Sequence, residues 1–342
     1  MVLSDSELLA VAKRLAQAAG WAPPIALERL EGGRNNRVFK VAVAGGPPLF
    51  LKSYFSHPHD TRQRLAAEWR FLTYAWCRGI RTVPKPLAAD WETHTGLYGF
   101  IRGRRLKPGE VFSSHVEAAA GFILALNASR RDIGTLPPGS EACFSLAQHI
   151  ATIEGRVARL GSIDPNAPHR DRVERFARAT LMPIWREVRA RIAQEAARSG
   201  IALEAGLAVE ETIVSPSDFG FHNVLIDDEE RVVFTDFEYA GRDDPAKLVC
   251  DFFCQPEVPV PLEYYERFVA KVSRGLELGP VHEQRCRLLL DAYRVKWTCI
   301  ILNDFQLVGT AQRAFARGNC WAERCEAQLA KAEAKIGEVT TV

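Results

Sequence analysis

Ser215-Pro216-Ser217-Asp218-Phe219-Gly220-Phe221-His222-Asn223-Val224-Leu225-Ile226 is followed, after the turn Asp227-Asp228-Glu229-Glu230, by Val232-Val233-Phe234-Thr235-Asp236-Phe237-Glu238-Tyr239-Ala240. The pattern is an acid, four residues, an asparagine, a β-turn-β unit, then a second acid and a phenylalanine. The apolar run 232–234 reads as a strand that delivers Asp236 at its end. The acidic turn folds that strand back beside Asn223. Asp218, Asn223 and Asp236 all offer hard oxygen atoms. Phosphoryl transfer from ATP needs such a set: one carboxylate near the attacking hydroxyl, and a carboxylate with an amide oxygen to hold magnesium on the phosphates.

Upstream, Leu30-Glu31-Gly32-Gly33-Arg34-Asn35-Asn36-Arg37-Val38-Phe39-Lys40-Val41 places two glycines ahead of an alternating stretch. Phe39, Val41 and Val43 alternate with Lys40 and Ala42, a strand signature. Gly45-Gly46-Pro47-Pro48 is a turn, and 49–54 is the return strand, carrying Lys52. Gly32 and Gly33 would let backbone approach phosphates closely. Residues 60–78 read as a helix, with Asp60 as cap and Gly79 as stop. Its apolar stripe is Leu65, Trp69, Leu72 and Trp76, and Glu68 falls on that face. A carboxylate there is costly unless paired. Lys52 is the expected partner, and Arg64, one turn earlier, is the alternative.

The order glycine loop, Lys52, Glu68, Asp218-x4-Asn223, Asp236-Phe237 spans 30–240 and resembles the protein-kinase-like superfamily. The closer likeness is to its small-molecule branch, the aminoglycoside phosphotransferase and choline kinase family. The resemblance implies an α+β, protein-kinase-like fold of two lobes. A small, β-rich, nucleotide-binding N-lobe covers 1–102. A larger, mostly helical C-lobe covers 103–342 and carries the catalytic and metal loops. ATP and Mg2+ are the cofactors so implied. Asp218 takes the catalytic position, and Asn223 and Asp236 the metal positions. Gly32, Gly33, Asn36, Lys52 and Glu68 take nucleotide positions, and Phe100 and Ile101 the hinge whose backbone meets adenine. Three features depart from the family pattern. Pro216 stands where a histidine is usual, two residues before Asp218. Asp236-Phe237-Glu238 is closer to choline-kinase-like members than to Asp-Phe-Gly. The acid expected four residues after Asp244 is Leu248, with Asp251 about a turn later as a substitute.

The chain has 342 residues, 47% of them hydrophobic, enough for two packed units. Its formal charge of +2 gives no electrostatic case for nucleic acid. Arg102, Arg104, Arg105 and Lys107 form one local basic cluster. No signal peptide is evident, and no apolar run is long enough to cross a membrane. Ser4 and Glu7 have the spacing of a capping box. The eight cysteines form no Cys-x2-Cys unit and read as reduced thiols of a cytoplasmic protein, with a zinc site from Cys250, Cys254, Cys320 and Cys325 as the alternative. Helical spacing covers 115–127, 145–160, 171–198, 263–274, 283–307 and 312–335. Gln255-Pro256-Glu257 has the form of the motif that closes a protein-kinase activation segment. The helix beginning at Asp244 leaves no room for a peptide-docking loop, so a small-molecule acceptor is expected.

Two classes of function follow: a kinase acting on a hydroxyl of a small metabolite, and a non-catalytic nucleotide-binding scaffold. Within the first, the acceptor is sugar-like, an amino alcohol, or an aminoglycoside. From Glu257 onward there are 11 acids and 12 bases, so no acidic excess favours a polycation. Glu238, Tyr293 and Trp297 are candidate acceptor contacts. Tyr293 and Trp297, at i and i+4, also fit a core stripe. The oligomeric state is not readable.

Overall fold

The computed structural model describes residues 3–30, 36–57, 60–130, 133–306 and 321–339. Contacts divide the chain into two compact units. The first combines the described residues of Met1–Leu106 with Asn223–Ala240. The second contains those of Lys107–His222, Gly241–Thr310 and Asn319–Val342. The fold class is α+β, with an N-terminal antiparallel sheet and a helical C-terminal part.

In the first unit, helix α1 (Asp5–Ala18) opens with the capping box expected at Ser4 and Glu7. Strands β1 (Pro24–Arg29), β2 (Asn36–Val43), β3 (Leu49–Tyr54), β4 (Pro86–Asp90) and β5 (Thr95–Gly99) form one antiparallel sheet in the order β1-β2-β3-β5-β4. Alternation decides its two faces. Phe39, Val41 and Val43 of β2 and Leu49 and Leu51 of β3 bury against Leu8, Val11, Ala12 and Leu15 of α1. Lys52 and Tyr54 point the other way, toward helix α2 (Arg64–Cys77). Strands β1 and β4 lie outside the sequence expectation. Each begins with proline, which an edge strand tolerates because one side of it needs no ladder.

Helix α2 starts four residues later than expected. Asp60 does not cap it but accepts from the guanidinium groups of Arg62 and Arg64, each at 2.7 Å. Its buried face is Leu65, Glu68, Phe71, Leu72 and Ala75, and Trp69 and Trp76 are only half-buried. The short strand β6 (Arg104–Arg105) pairs with β8 (Val224–Ile226), which pairs with β9 (Val232–Phe234). Two residues of the expected basic cluster are thus exposed positions on a sheet edge. Gly103 is required there, since a Cβ would lie 2.5 Å from the Ile226 carbonyl oxygen.

The second unit holds α3 (Ser113–Leu126), α4 (Leu146–Arg159), α5 (Arg170–Phe176), α6 (Met182–Arg198), α7 (Pro245–Cys254), α8 (Tyr265–Gly275), α9 (Pro280–Ile301) and α10 (Trp321–Ile336). The expected helix 171–198 is divided into α5 and α6 by a π-turn at Ala177–Leu181. Pro183, which cannot donate into the helical ladder, explains the widened turn. A two-stranded ladder of β7 (Ile213–Ser215) and β10 (Gly241–Asp243) was also not expected; it brackets the loop that carries Asp218. The first part of the expected helix 312–335 lies outside the described residues. So does Cys320, one of the four cysteines of the alternative zinc site. No group of three or more His, Cys, Asp or Glu is arranged for a metal among the described residues. Among them, too, no helix is long and apolar enough to cross a membrane.

Candidate active site

Lys52 and Glu68, expected to pair, are 2.6 Å apart, both in the buried interior of the first unit. The same ammonium donates to Asp236 Oδ1 at 2.5 Å. Burial opposes the charge on Lys52. Asp236, Glu68 and Glu238 outweigh that and hold the ammonium well above the ordinary lysine value. Glu68 also accepts from the Tyr54 hydroxyl at 2.8 Å, and Tyr54 meets the Tyr98 hydroxyl at 2.7 Å. Sequence reading missed both tyrosines. Tyr54 is two residues from Lys52 on β3 and shares its face, which was a usable signal.

Asp236 follows β9 with φ 67°, the left-handed region that non-glycine residues rarely enter. Two contacts hold it there. Phe237 stacks on Phe71 of α2 at 4.2 Å between ring centroids. On the other side, Thr235 donates through its backbone N–H (2.9 Å) and hydroxyl (3.1 Å) to the Asn223 carbonyl. The β8–β9 register therefore sets Asn223 beside the residue preceding Asp236. The Asp236 side chain is 40% exposed, so its carboxylate is reachable from solvent while Lys52 holds one oxygen. A carboxylate, an amide and a fixed ammonium suit a magnesium-bound polyphosphate chemically.

Asn36 donates to the Glu238 carboxylate, and both are buried. Its oxygen also accepts from the Phe55 N–H at 3.3 Å. Glu238 lies 3.9 Å from the Arg64 guanidinium. Thus the residue expected to meet nucleotide and the one expected to meet acceptor are bonded to each other. Phe100 and Ile101 follow β5 and are half-buried, with the Lys40 ammonium 5.8 Å from the Phe100 ring centroid. Gly32 and Gly33 lie outside the described residues.

Asp218 belongs to the second unit. The loop that carries it is anchored by two phenylalanines. Phe219 and Phe221 bury against Phe252 of α7, with ring centroids 5.1 and 5.3 Å apart. Immediately before these anchors, Asp218 keeps 34% exposure and lies 3.3 Å from the His222 imidazole. Ser217, the residue before it, has φ 69°. At the unusual Pro216, the carbonyl accepts from the Asp218 N–H at 3.1 Å.

Leu248 and Asp251 both lie in α7, a helix buried at every position. Asp251 accepts from Lys296 (2.9 Å to each oxygen) and from the Trp297 indole (2.9 Å). Tyr293 is 2% exposed, and its hydroxyl meets His149 Nδ1 at 2.8 Å. Trp297 is 9% exposed. The structure therefore sets Tyr293 and Trp297 in a buried polar network of the second unit, on the core side of the α9 stripe.

The chain belongs to the phosphotransferase enzyme family, APH, whose family model matches residues 26–278, about three quarters of its length. It is thereby a phosphotransferase-family enzyme with a kinase-like fold. Solved structures agree on the fold at low identity. A choline kinase from Cryptosporidium parvum is 13% identical, covers 98% of this chain and 97% of its own, and superposes with a TM-score of 0.56. A choline/ethanolamine kinase family protein from Mesorhizobium loti is 21% identical, with 97% and 98% covered and a TM-score of 0.55. A macrolide 2'-phosphotransferase from Brachybacterium faecium is 18% identical, with 91% and 99% covered and a TM-score of 0.55. No curated protein matches the chain.

Proposed function

We propose that this protein transfers the γ-phosphoryl group of ATP to a hydroxyl of a small metabolite, with a sugar-like or amino-alcohol acceptor. The observation that carries this reading is the buried Lys52 ammonium held between Glu68 at 2.6 Å and Asp236 at 2.5 Å. A scaffold that only buries a helix has no use for a cation fixed beside a half-exposed acid. In this reading Lys52 binds the α- and β-phosphates, and Glu68 fixes its position. Asn223 and Asp236 hold magnesium, which when bound neutralises charge on the phosphate oxygens. Asp218 orients the acceptor hydroxyl and receives its proton. Gly32 and Gly33 cover the phosphates, and backbone at Phe100 and Ile101 meets adenine. Asn36 and Glu238 brace the start of β2 and the residues after Asp236 against each other. Tyr293 and Trp297 tie α9 to α4 and α7 through His149 and Asp251. Choline and macrolide acceptors are named for relatives of the same fold. The near balance of charge after Glu257 favours a neutral or singly charged acceptor over a polycation. Cys77, Cys143, Cys250, Cys254, Cys286 and Cys299 are free thiols, in keeping with a cytoplasmic setting.

The test is a Mg-ATP consumption screen over choline, ethanolamine, neutral sugars, macrolides and aminoglycosides. Wild-type chain is expected to turn over a neutral or singly charged alcohol, and Asp218→Ala to lose at least about a hundredfold in rate while still binding Mg-ATP. Turnover of aminoglycosides alone, with micromolar KM, overturns the acceptor class. A fully active Asp218→Ala overturns its role.

A further inference from the structure

The second unit buries a lysine that the roles above do not use. Lys247, on α7, is 2% exposed. Its ammonium lies 2.9 Å from Asp243 at the end of β10 and 3.3 Å from Asp251 one turn along. Asp251 is shared with Lys296 and the Trp297 indole, and Asp243 accepts from the N–H groups of Cys143 (3.1 Å) and Asp244 (2.9 Å). The carboxylates hold Lys247 above the ordinary lysine value despite full burial, so it is a fixed cation. A buried ion pair is poor value as a stabiliser, since apolar residues of like volume often do as well.

One more contact gives the cation a direction. Lys247 Nζ donates to the Ser217 hydroxyl at 3.4 Å. That hydroxyl in turn donates to the Ser140 carbonyl at 3.4 Å, so it is engaged both as acceptor and as donor. The Ser217 N–H donates to Ser215 Oγ at 3.1 Å. Ser217 is thus held on three sides in its left-handed conformation, which a non-glycine residue rarely adopts. The next residue is Asp218, and Phe219 beyond it is pinned on the same helix.

We propose that Lys247 is a positioning residue for the phosphoryl-transfer step, fixing the backbone of Ser217 and through it the direction of Asp218. The inference rests on the reading of Asp218 given above. It also accounts for two departures from the family pattern at once. Leu248 replaces the acid after Asp244-Pro245, and its neighbour Lys247 reaches the catalytic loop instead. Pro216 replaces the usual histidine, and the loop is held one residue later, at Ser217.

The experiment compares hydrogen exchange and kinetics in the full chain for wild type, Ser217→Ala, Lys247→Met, Lys247→Arg and the Ser217→Ala/Lys247→Met double variant. Amide exchange in a peptide covering 215–222 is expected to rise at least about tenfold in Ser217→Ala and Lys247→Met, and no further in the double variant. Lys247→Arg is expected to restore part of the protection. With the acceptor returned by the screen, Ser217→Ala is expected to lose about tenfold in kcat with KM for Mg-ATP unchanged. Unchanged loop exchange, or acceleration spread evenly over the second unit, overturns the proposal. So does a loss in KM for Mg-ATP alone. Should Lys247→Met fail to fold, Ser217→Ala carries the same test, because it leaves the buried Lys247 paired with Asp243 and Asp251. Failure of the Asp218 reading looks different: Asp218→Ala stays active while the exchange result stands.

Discussion

At the scale of single residues, the decisive position is Lys52. Its pairing with Glu68 follows from the cost of burying either charge alone. Lys52→Met removes the shared cation and leaves Glu68 buried and Asp236 unneutralised. The expected result is a loss of Mg-ATP affinity in isothermal titration calorimetry, with destabilisation of about 3 kcal/mol in a urea melt. Glu68→Gln keeps the shape and leaves Lys52 its contact with Asp236. It is expected to retain most stability and to lose about tenfold in turnover. Equal Mg-ATP affinity in Lys52→Met and wild type would remove the phosphate-binding role. The Lys52–Glu68 contact was legible because an acid on an apolar helix face demands a partner. The bond between Asn36 and Glu238 was not, because no periodicity links residues so far apart in the chain.

At the scale of elements, α4, α7 and α9 meet through one buried imidazole. His149 of α4 lies 2.8 Å from the Tyr293 hydroxyl of α9 and 3.0 Å from Asp244, the N-cap of α7. Arg285 of α9 also donates to Asp244. Burial pulls His149 down, but the bonds to Asp244 and Cys143 outweigh it and raise its pKa to about 9. The folded value lies above the unfolded one, so the proton stabilises the fold. That contribution is complete below about pH 6.5 and is lost as pH rises through about 9. Urea midpoints are expected to fall between pH 6.5 and 9.5, by up to about 3 kcal/mol of stability. In His149→Gln the decline over this interval is expected to vanish; an identical decline would reassign it to another group. The helices themselves were readable from spacing, and their observed ends differ by a few residues. The π-turn before Met182 and the proline-led strands β1 and β4 were not readable, because both depend on which backbone groups a neighbour leaves unpaired.

At the scale of the whole molecule, a nucleotide that binds only the folded chain must raise its stability. Mg-ATP at a hundred times its Kd contributes about 2.7 kcal/mol. A rise of several degrees in Tm by scanning fluorimetry is expected for wild type, and none for Asp236→Ala. A rise of the same size in Asp236→Ala would remove that residue from the metal site. Chain order alone determined the family resemblance and the α+β class. It also singled out Lys52, Glu68, Asp218, Asn223 and Asp236, because each is a chemically costly residue at a fixed offset from an apolar strand or helix. Only the tertiary structure decided that the hairpin after Asn223 packs with the N-terminal sheet, that Tyr54 and Tyr98 back Glu68, and that Lys247 reaches Ser217. Those contacts join segments tens to hundreds of residues apart. Local spacing reports which face of an element is buried, and only the packing of distant elements determines which polar group waits on the other side.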